Sequence, residues 1–257
     1  MLEPVLNLYK RMGETPLERI KRFRLHNPEY AKSKMSYAGR LDPMAEGVLV
    51  VLVGEENKKR EKYLNLTKEY TAEVLFGIET DTYDILGKII DMDKRHGLSD
   101  KIRSAIEHCL SRFVGVQSQK YPAYSSKKVE GKPLFKWARE GRVHEIDIPE
   151  REIEIFSAKV LKLHTLSQYD LASLISERVG LVQGDFRQSE ILAGWEKSLA
   201  KYVQRTFEVA TITVSCGSGT YIRILAHELG GCLKTKAVLL ALKRNSVGAY
   251  IVRDSIP

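Results

Sequence analysis

The run Val48-Leu49-Val50-Val51-Leu52-Val53, entered from Gly47 and stopped by Gly54, most restricts what this chain can become. It is the longest apolar stretch present and falls short of the roughly 18 residues that a membrane-spanning helix needs. Bounded by glycines, it reads instead as a buried strand. A second strand pattern covers residues 68–76, where Tyr70, Ala72, Val74 and Phe76 alternate with Thr71, Glu73 and Leu75. A helix is expected over 14–23, with Pro16 in its first turn and Leu17, Ile20 and Phe23 at helical spacing. Residues 27–40 are turn-rich, 57–64 read as helical, and 81–87 form a polar loop before a short strand at 88–90. Helices follow at 99–113, with Ser99 as N-cap, and at 134–140, ended by Gly141. Residues 151–163, 207–215 and 247–252 alternate as strands, and 221–230 is helical after Gly219. Residues 167–204 read as helical with a break around 179–185. Strands and helices mix without a regular βαβ rhythm, which favours an α+β fold with a largely antiparallel sheet. The 257 residues are read as one domain, with 167–204 as an added helical insertion.

Composition narrows the class further. Cys109, Cys216 and Cys232 are odd in number and no pair is spaced as Cys-x-x-Cys, so buried reduced thiols are expected rather than a disulfide framework or a zinc site. Residues 1–10 contain Glu3 and Pro4 and lack a signal peptide's apolar stretch, so a cytoplasmic protein is expected. Lys and Arg number 41 against 33 Asp and Glu, a net charge of +8 that suits a polyanionic partner.

Four places can carry chemistry. Asp42 sits between a glycine-bearing loop and the apolar strand, just before Pro43, which restricts it to extended backbone. A carboxylate fixed in that way can serve as nucleophile or base, and Asp-Pro equally suits a simple turn. In Ser218-Gly219-Thr220-Tyr221-Ile222-Arg223, the glycines allow close backbone approach. Arg223 falls in the first turn of a helix between Ile222 and Ile224, where it calls for a carboxylate partner. Glu79-Thr80-Asp81-Thr82-Tyr83-Asp84 places three carboxylates together but lacks calcium-loop spacing, and reads as loop capping. In 117–132, Tyr121 and Tyr124 lie among Lys120, Lys127, Lys128 and Lys132, a mixture of flat rings and cations that suits RNA or simply a solvated basic loop.

Taken in order, these segments resemble the TruB family of tRNA pseudouridine synthases. The family's Gly-x-Leu-Asp-Pro-x-Ala-x-Gly-x-Leu motif corresponds to residues 39–49, and its Gly-x-x-Thr-Asp-Thr-x-Asp-x-x-Gly motif to 77–87. Its Pro-x-Tyr-Ser-x-x-Lys-x-x-Gly block starts at Pro122, Gly-Thr-Tyr-Ile-Arg is 219–223, and Leu-Arg-Arg and Val-Gly match Leu242-Lys243-Arg244 and Val247-Gly248. The resemblance implies isomerisation of uridine 55 in the tRNA T-loop. In it, Asp42 is the catalytic aspartate, Arg223 its ion-pair partner, and Tyr70 the ring that stacks on the uracil. Leu242 lines the base pocket, Lys10 matches an N-terminal lysine motif, and Tyr124 and Lys127 belong to a substrate-binding block. Breaking the glycosidic bond, turning the base and rejoining it through carbon requires a flipped nucleotide but no redox step. No cofactor or metal is implied, and the tRNA T-arm is the expected partner, with no membrane or obligate protein partner.

Three departures stand out. Tyr37 replaces the family histidine that helps displace the target base, and Arg11 follows Lys10 in place of proline. With the sequence ending at Pro257, the family's C-terminal RNA-binding PUA domain is not expected here. The insertion 167–204 brings Arg178, Arg187, Lys197, Lys201 and nearby Arg205, and is read either as an RNA contact or as a helical pair covering the sheet. A synthase for another RNA uridine and a non-catalytic RNA-binding or chaperone protein of this fold are the alternatives, with a DNA-binding regulator supported by charge alone.

Overall fold

The computed structural model describes residues 2–93, 102–202 and 204–257. The chain opens with strand β1 (Val5–Lys10) and helix α1 (Pro16–His26). Helix α1 starts where Thr15 and Glu18 form a reciprocal capping box with Pro16 beside it. Strands β2 (Met35–Ala38) and β3 (Ala45–Val53) flank the loop that carries Asp42. A 3-10 turn then leads into the short helix α2 (Arg60–Leu64), so the helix expected from residue 57 begins later. Strand β4 (Lys68–Phe76) has the expected bounds, and β5 (Ile78–Thr80) and β6 (Ile89–Met92) form a small separate ribbon. Helix α3 (Ile102–Arg112) follows, and the expected N-cap Ser99 lies outside the described residues.

The stretch read as a basic loop begins as the edge strand β7 (Gly115–Lys120). A short hairpin, β8 (Lys128–Val129) and β9 (Lys132–Pro133), precedes α4 (Leu134–Arg139). The long strand β10 (Glu150–Ser167) runs into α5 (Gln168–Gly180) and α6 (Gln188–Leu199), where helices were expected. The chain then forms β11 (Thr206–Cys216), α7 (Ile222–Cys232), β12 (Ala237–Val247) and β13 (Tyr250–Ile251). The final strand expected over 247–252 is therefore the turn and return of a hairpin whose main strand lies earlier.

The central sheet runs β1-β3-β12-β4-β11-β10-β7, with β2 added on β3 and β13 on β12. Its pairings are antiparallel except β12 on β3, where Leu242, Lys243 and Arg244 lie opposite Ala45, Glu46 and Gly47. This α+β architecture is the one expected from the sequence. Alternation in β4 decides the two faces. Tyr70, Ala72, Val74 and Phe76 join a core with α3 and α7, while Leu75 points into a second core with α5 and α6. Trp195 of α6 is buried there and its indole nitrogen donates to the Gly87 carbonyl at 3.1 Å. The helical pair thus covers one face of the sheet, which was one of its two readings.

Two expectations are corrected here. Cys109 and Cys232 form a disulfide between α3 and α7, and only Cys216 is a free, buried thiol. The bonded cysteines are 123 residues apart, and only the packing of the two helices brings their Cα atoms to 6.1 Å, so spacing along the chain carried no sign of it. Arg178 and Arg205 are not free for RNA. Arg178 donates to the Leu240 carbonyl at 3.0 Å beside Glu73, and Arg205 is buried, donating to the Asp93 carbonyl at 2.6 Å. Among the described residues, no helix is long and apolar enough to cross a membrane.

Candidate active site

Arg223 ties together three loops that are far apart in the chain. Helix α7 starts beside β7, where the Gln119 side chain accepts from the Tyr221 N–H at 2.8 Å and donates to the Tyr221 carbonyl at 3.2 Å. That fixes the first turn and aims Arg223 inward, where its side chain is only 4% exposed. One terminal nitrogen donates to the Thr82 carbonyl at 2.9 Å and the other to the Tyr124 carbonyl at 3.2 Å. Nε lies 2.8 Å from Asp42 Oδ2 and 4.0 Å from Asp84 Oδ2. The Nε–H direction does not meet hydrogen-bond geometry, so the contact with Asp42 is a close ion pair. Burial disfavours the guanidinium cation, but Asp42 and Asp84 outweigh it and hold the Arg223 pKa above its usual value.

The Asp42 loop is clamped from below. Arg244, buried on β12, donates to the carbonyls of Val48 (2.8 Å), Gly39 (3.2 Å) and Arg40 (3.4 Å). The parallel pairing that places it there needs Gly47, because a Cβ at that position would lie 2.3 Å from the Arg244 carbonyl oxygen and the backbone φ is +105°. Lys10 closes the other side. Its fully buried ammonium donates to the carbonyls of Arg11 (3.0 Å), Pro43 (3.3 Å) and Ala45 (2.5 Å). Burial lowers the Lys10 pKa to about 7. With its neighbours so held, Asp42 keeps 31% of its side chain exposed toward a cleft of about 800 Å³.

Tyr70, Leu242, Tyr124 and Arg223 line that same cleft with Asp42. Tyr70 is buried, which pushes its hydroxyl pKa up and keeps it a neutral aromatic wall. Lys10, Tyr37 and Lys127 do not line it. Lys10 is beneath the loop. Tyr37 packs toward the α1 cluster and accepts through its hydroxyl from Arg40, a cleft-lining residue, at 3.1 Å. Lys127 is exposed, with its ammonium 5.1 Å from the centre of the Tyr121 ring.

The 79–84 run, which reads in sequence as loop capping, does cap its loop but also reaches the site. Asp84 Oδ1 accepts from Thr82 Oγ1 at 2.6 Å and the Leu86 N–H at 3.0 Å. Asp84 also faces Arg223, and burial raises its pKa to about 6 against the pull of that cation. Glu79 pairs with Lys236, and Asp81 with Arg187 and the Tyr124 hydroxyl, so the three carboxylates diverge. Among the described residues, no group of three His, Cys, Asp or Glu side chains is placed to hold a metal ion. In the sequence, Arg244 stands out only as part of the Leu-Lys-Arg motif match. Its need for buried acceptors is visible in sequence no more than the fold that supplies them. The remaining cleft cations are Arg40, Arg139 and Arg151, with Lys68 buried against the Leu64 and Leu66 carbonyls and Arg187 paired with Asp81. A carboxylate at the centre of a cation-rimmed, aromatic-walled cleft can attack or deprotonate a sugar carbon while the rim holds phosphates.

Residues 27–177 match the family described as TruB family pseudouridylate synthase (N terminal domain). The chain is 31% identical over 255 residues to the tRNA pseudouridine synthase B of Nostoc sp., covering 99% of this chain and 71% of that one. A relative of the same name from Trichormus variabilis is 32% identical over 255 residues, with the same coverage of 99% and 71%. Among solved structures, a chain of a Cbf5-Nop10-Gar1 complex aligns at a TM-score of 0.58 and 19% identity, covering 96% of this chain and 49% of that one, which bears on the fold alone. Matched over more than half its length by the family pattern, the chain belongs to the TruB family of pseudouridylate synthases.

Proposed function

We propose that this protein converts uridine to pseudouridine in tRNA, at position 55 of the T-loop, in the cytoplasm where tRNA matures. The observation that carries the reading is the Asp42–Arg223 ion pair at 2.8 Å in a cleft walled by Tyr70 and Leu242. Asp42 is the group that acts on the ribose, as nucleophile at the sugar or as base beside it. Arg223 fixes the carboxylate and pins the Thr82 and Tyr124 loops around it. The flipped uracil rests against the Tyr70 ring and Leu242, flat and apolar surfaces that hold a base in place and still let it turn once the glycosidic bond is broken. The cationic rim supplies the sequence-independent attraction for the RNA backbone. The curated relatives named tRNA pseudouridine synthase B support tRNA as the substrate.

The test is to incubate the protein with unmodified tRNA transcript and map pseudouridine by carbodiimide-dependent primer extension. A stop at the T-loop uridine is expected. No product at any T-loop uridine would overturn the assignment.

A further inference from the structure

The turn between α5 and α6 reaches the cleft: Asp185, Phe186 and Arg187 line it beside Tyr124 and Arg139. The turn is rigidly built. Gln188 receives the Phe186 N–H at 2.8 Å and donates to the carbonyls of Val182 (2.9 Å) and Gly184 (2.7 Å). It is also joined to the Asp42 loop, because Gly13 donates to the Pro43 carbonyl at 2.9 Å and accepts from the Gln183 N–H at 3.4 Å. Gly13 is required at that junction, since a Cβ there would lie 2.4 Å from the Leu181 carbonyl oxygen. Arg187 adopts a left-handed backbone, pairs with Asp81 at 2.8 Å and lies 4.6 Å from the centre of the Tyr124 ring. It therefore braces the loop whose carbonyl holds Arg223.

Phe186 is half-buried, packed against the α5–α6 core while still lining the cleft. Arg139 donates to the Asp185 carbonyl at 2.7 Å and lies 3.6 Å from the exposed Asp185 carboxylate, yet keeps 39% of its side chain exposed, so a phosphate would share or displace that surface pair. An aromatic face next to a partly exposed guanidinium is the pairing that receives an unpaired base and its phosphate. We propose that the 183–187 turn forms a second nucleotide subsite, with Phe186 stacking an unpaired base next to the target uridine and Arg139 neutralising its phosphate. This rests on the functional reading above, and it gives the helical pair a substrate-reading role beyond covering the sheet.

Fluorescence anisotropy with the full chain tests it, using a T-arm stem–loop transcript and a fully paired duplex of equal length. Phe186→Ala is expected to weaken stem–loop binding about 5- to 150-fold, the range for stacking one base on an aromatic ring, and duplex binding by less than about twofold. Phe186→Trp restores stem–loop affinity. Phe186→Leu keeps apolar packing without the ring, and is expected to lose stem–loop affinity with an unchanged melting temperature. Arg139→Ala weakens both RNAs and lowers the salt slope by about one counterion. Unchanged stem–loop affinity in Phe186→Leu, or an equal loss for both RNAs, would overturn the subsite. Wild-type protein that binds the stem–loop but makes no pseudouridine would overturn the functional reading instead, and the binding ratios would still decide the subsite.

Discussion

Replacing Asp84 with asparagine removes a buried negative charge and keeps the side chain's shape. Asn Oδ1 can accept from Thr82 Oγ1 and the Leu86 N–H as the carboxylate does. Burial, opposed by Arg223, raises the Asp84 pKa from 3.8 to about 6. Between those values the folded chain holds a proton that the unfolded chain has released, so stability falls as pH rises. At about 1.4 kcal/mol per pH unit the penalty comes to roughly 3 kcal/mol, complete above about pH 6 and absent below about pH 4. Asparagine mimics the protonated carboxyl, so Asp84→Asn should gain roughly 3 kcal/mol at pH 7.5 and nothing near pH 4. Urea unfolding of both proteins across that range measures the difference. A gap between them that stays constant with pH would refute the reasoning, because Asp84 would then not be a buried charge held against its solvation.

Other expectations follow from single contacts. Lys10, at about 7 when folded against 10.5, leaves the unfolded chain as the better proton binder between those values, so stability rises with pH there; Lys10→Met should reduce that rise in unfolding experiments at pH 7 and pH 10, leaving the smaller share from buried Lys68, at about 8. Trp195→Ala should cost about 3–5 kcal/mol in denaturant unfolding, since the indole is buried between α6 and the sheet. Cys109→Ala should cost about 2–4 kcal/mol more under oxidising conditions than in excess reductant, read as the change in melting temperature in each.

What could be read from the sequence follows the range over which each signal acts. The alternation in 68–76 gave β4 and the face that carries Tyr70, because period two is a local property. Arg223, flanked by isoleucines at a helix start, called for a carboxylate, and Asp42 lies 2.8 Å away. Which second carboxylate would join it was hidden, since Asp84 reaches Arg223 only after β4, β12 and α7 assemble. The same holds for Arg244, whose acceptors lie in a loop roughly two hundred residues earlier, and for the Cys109–Cys232 bond. Strand β12 carries Lys243, Arg244 and Asn245 near its end, which masked it as a strand. Its parallel pairing with β3 is a tertiary choice that no local pattern encodes. Phe186 lies just past the break read around 179–185 and carries no local signal of its own; only the docking of α5 and α6 on the sheet brings it to the cleft.

In the proposed reaction, Asp42 performs the chemistry on the uridine and the remainder of the cleft positions it. Pseudouridine formation replaces the hydrogen on uracil C5 with the new bond to ribose, so tRNA transcribed with 5-tritiated uridine reports turnover directly by release of tritium to water. Single-turnover release with saturating protein, measured beside the affinity for the same tRNA, separates chemistry from binding. The wild-type protein should release the label from one T-loop uridine, and Asp42→Asn should release none while binding the tRNA within about threefold of wild type. Release by Asp42→Asn at the wild-type rate would contradict the claim.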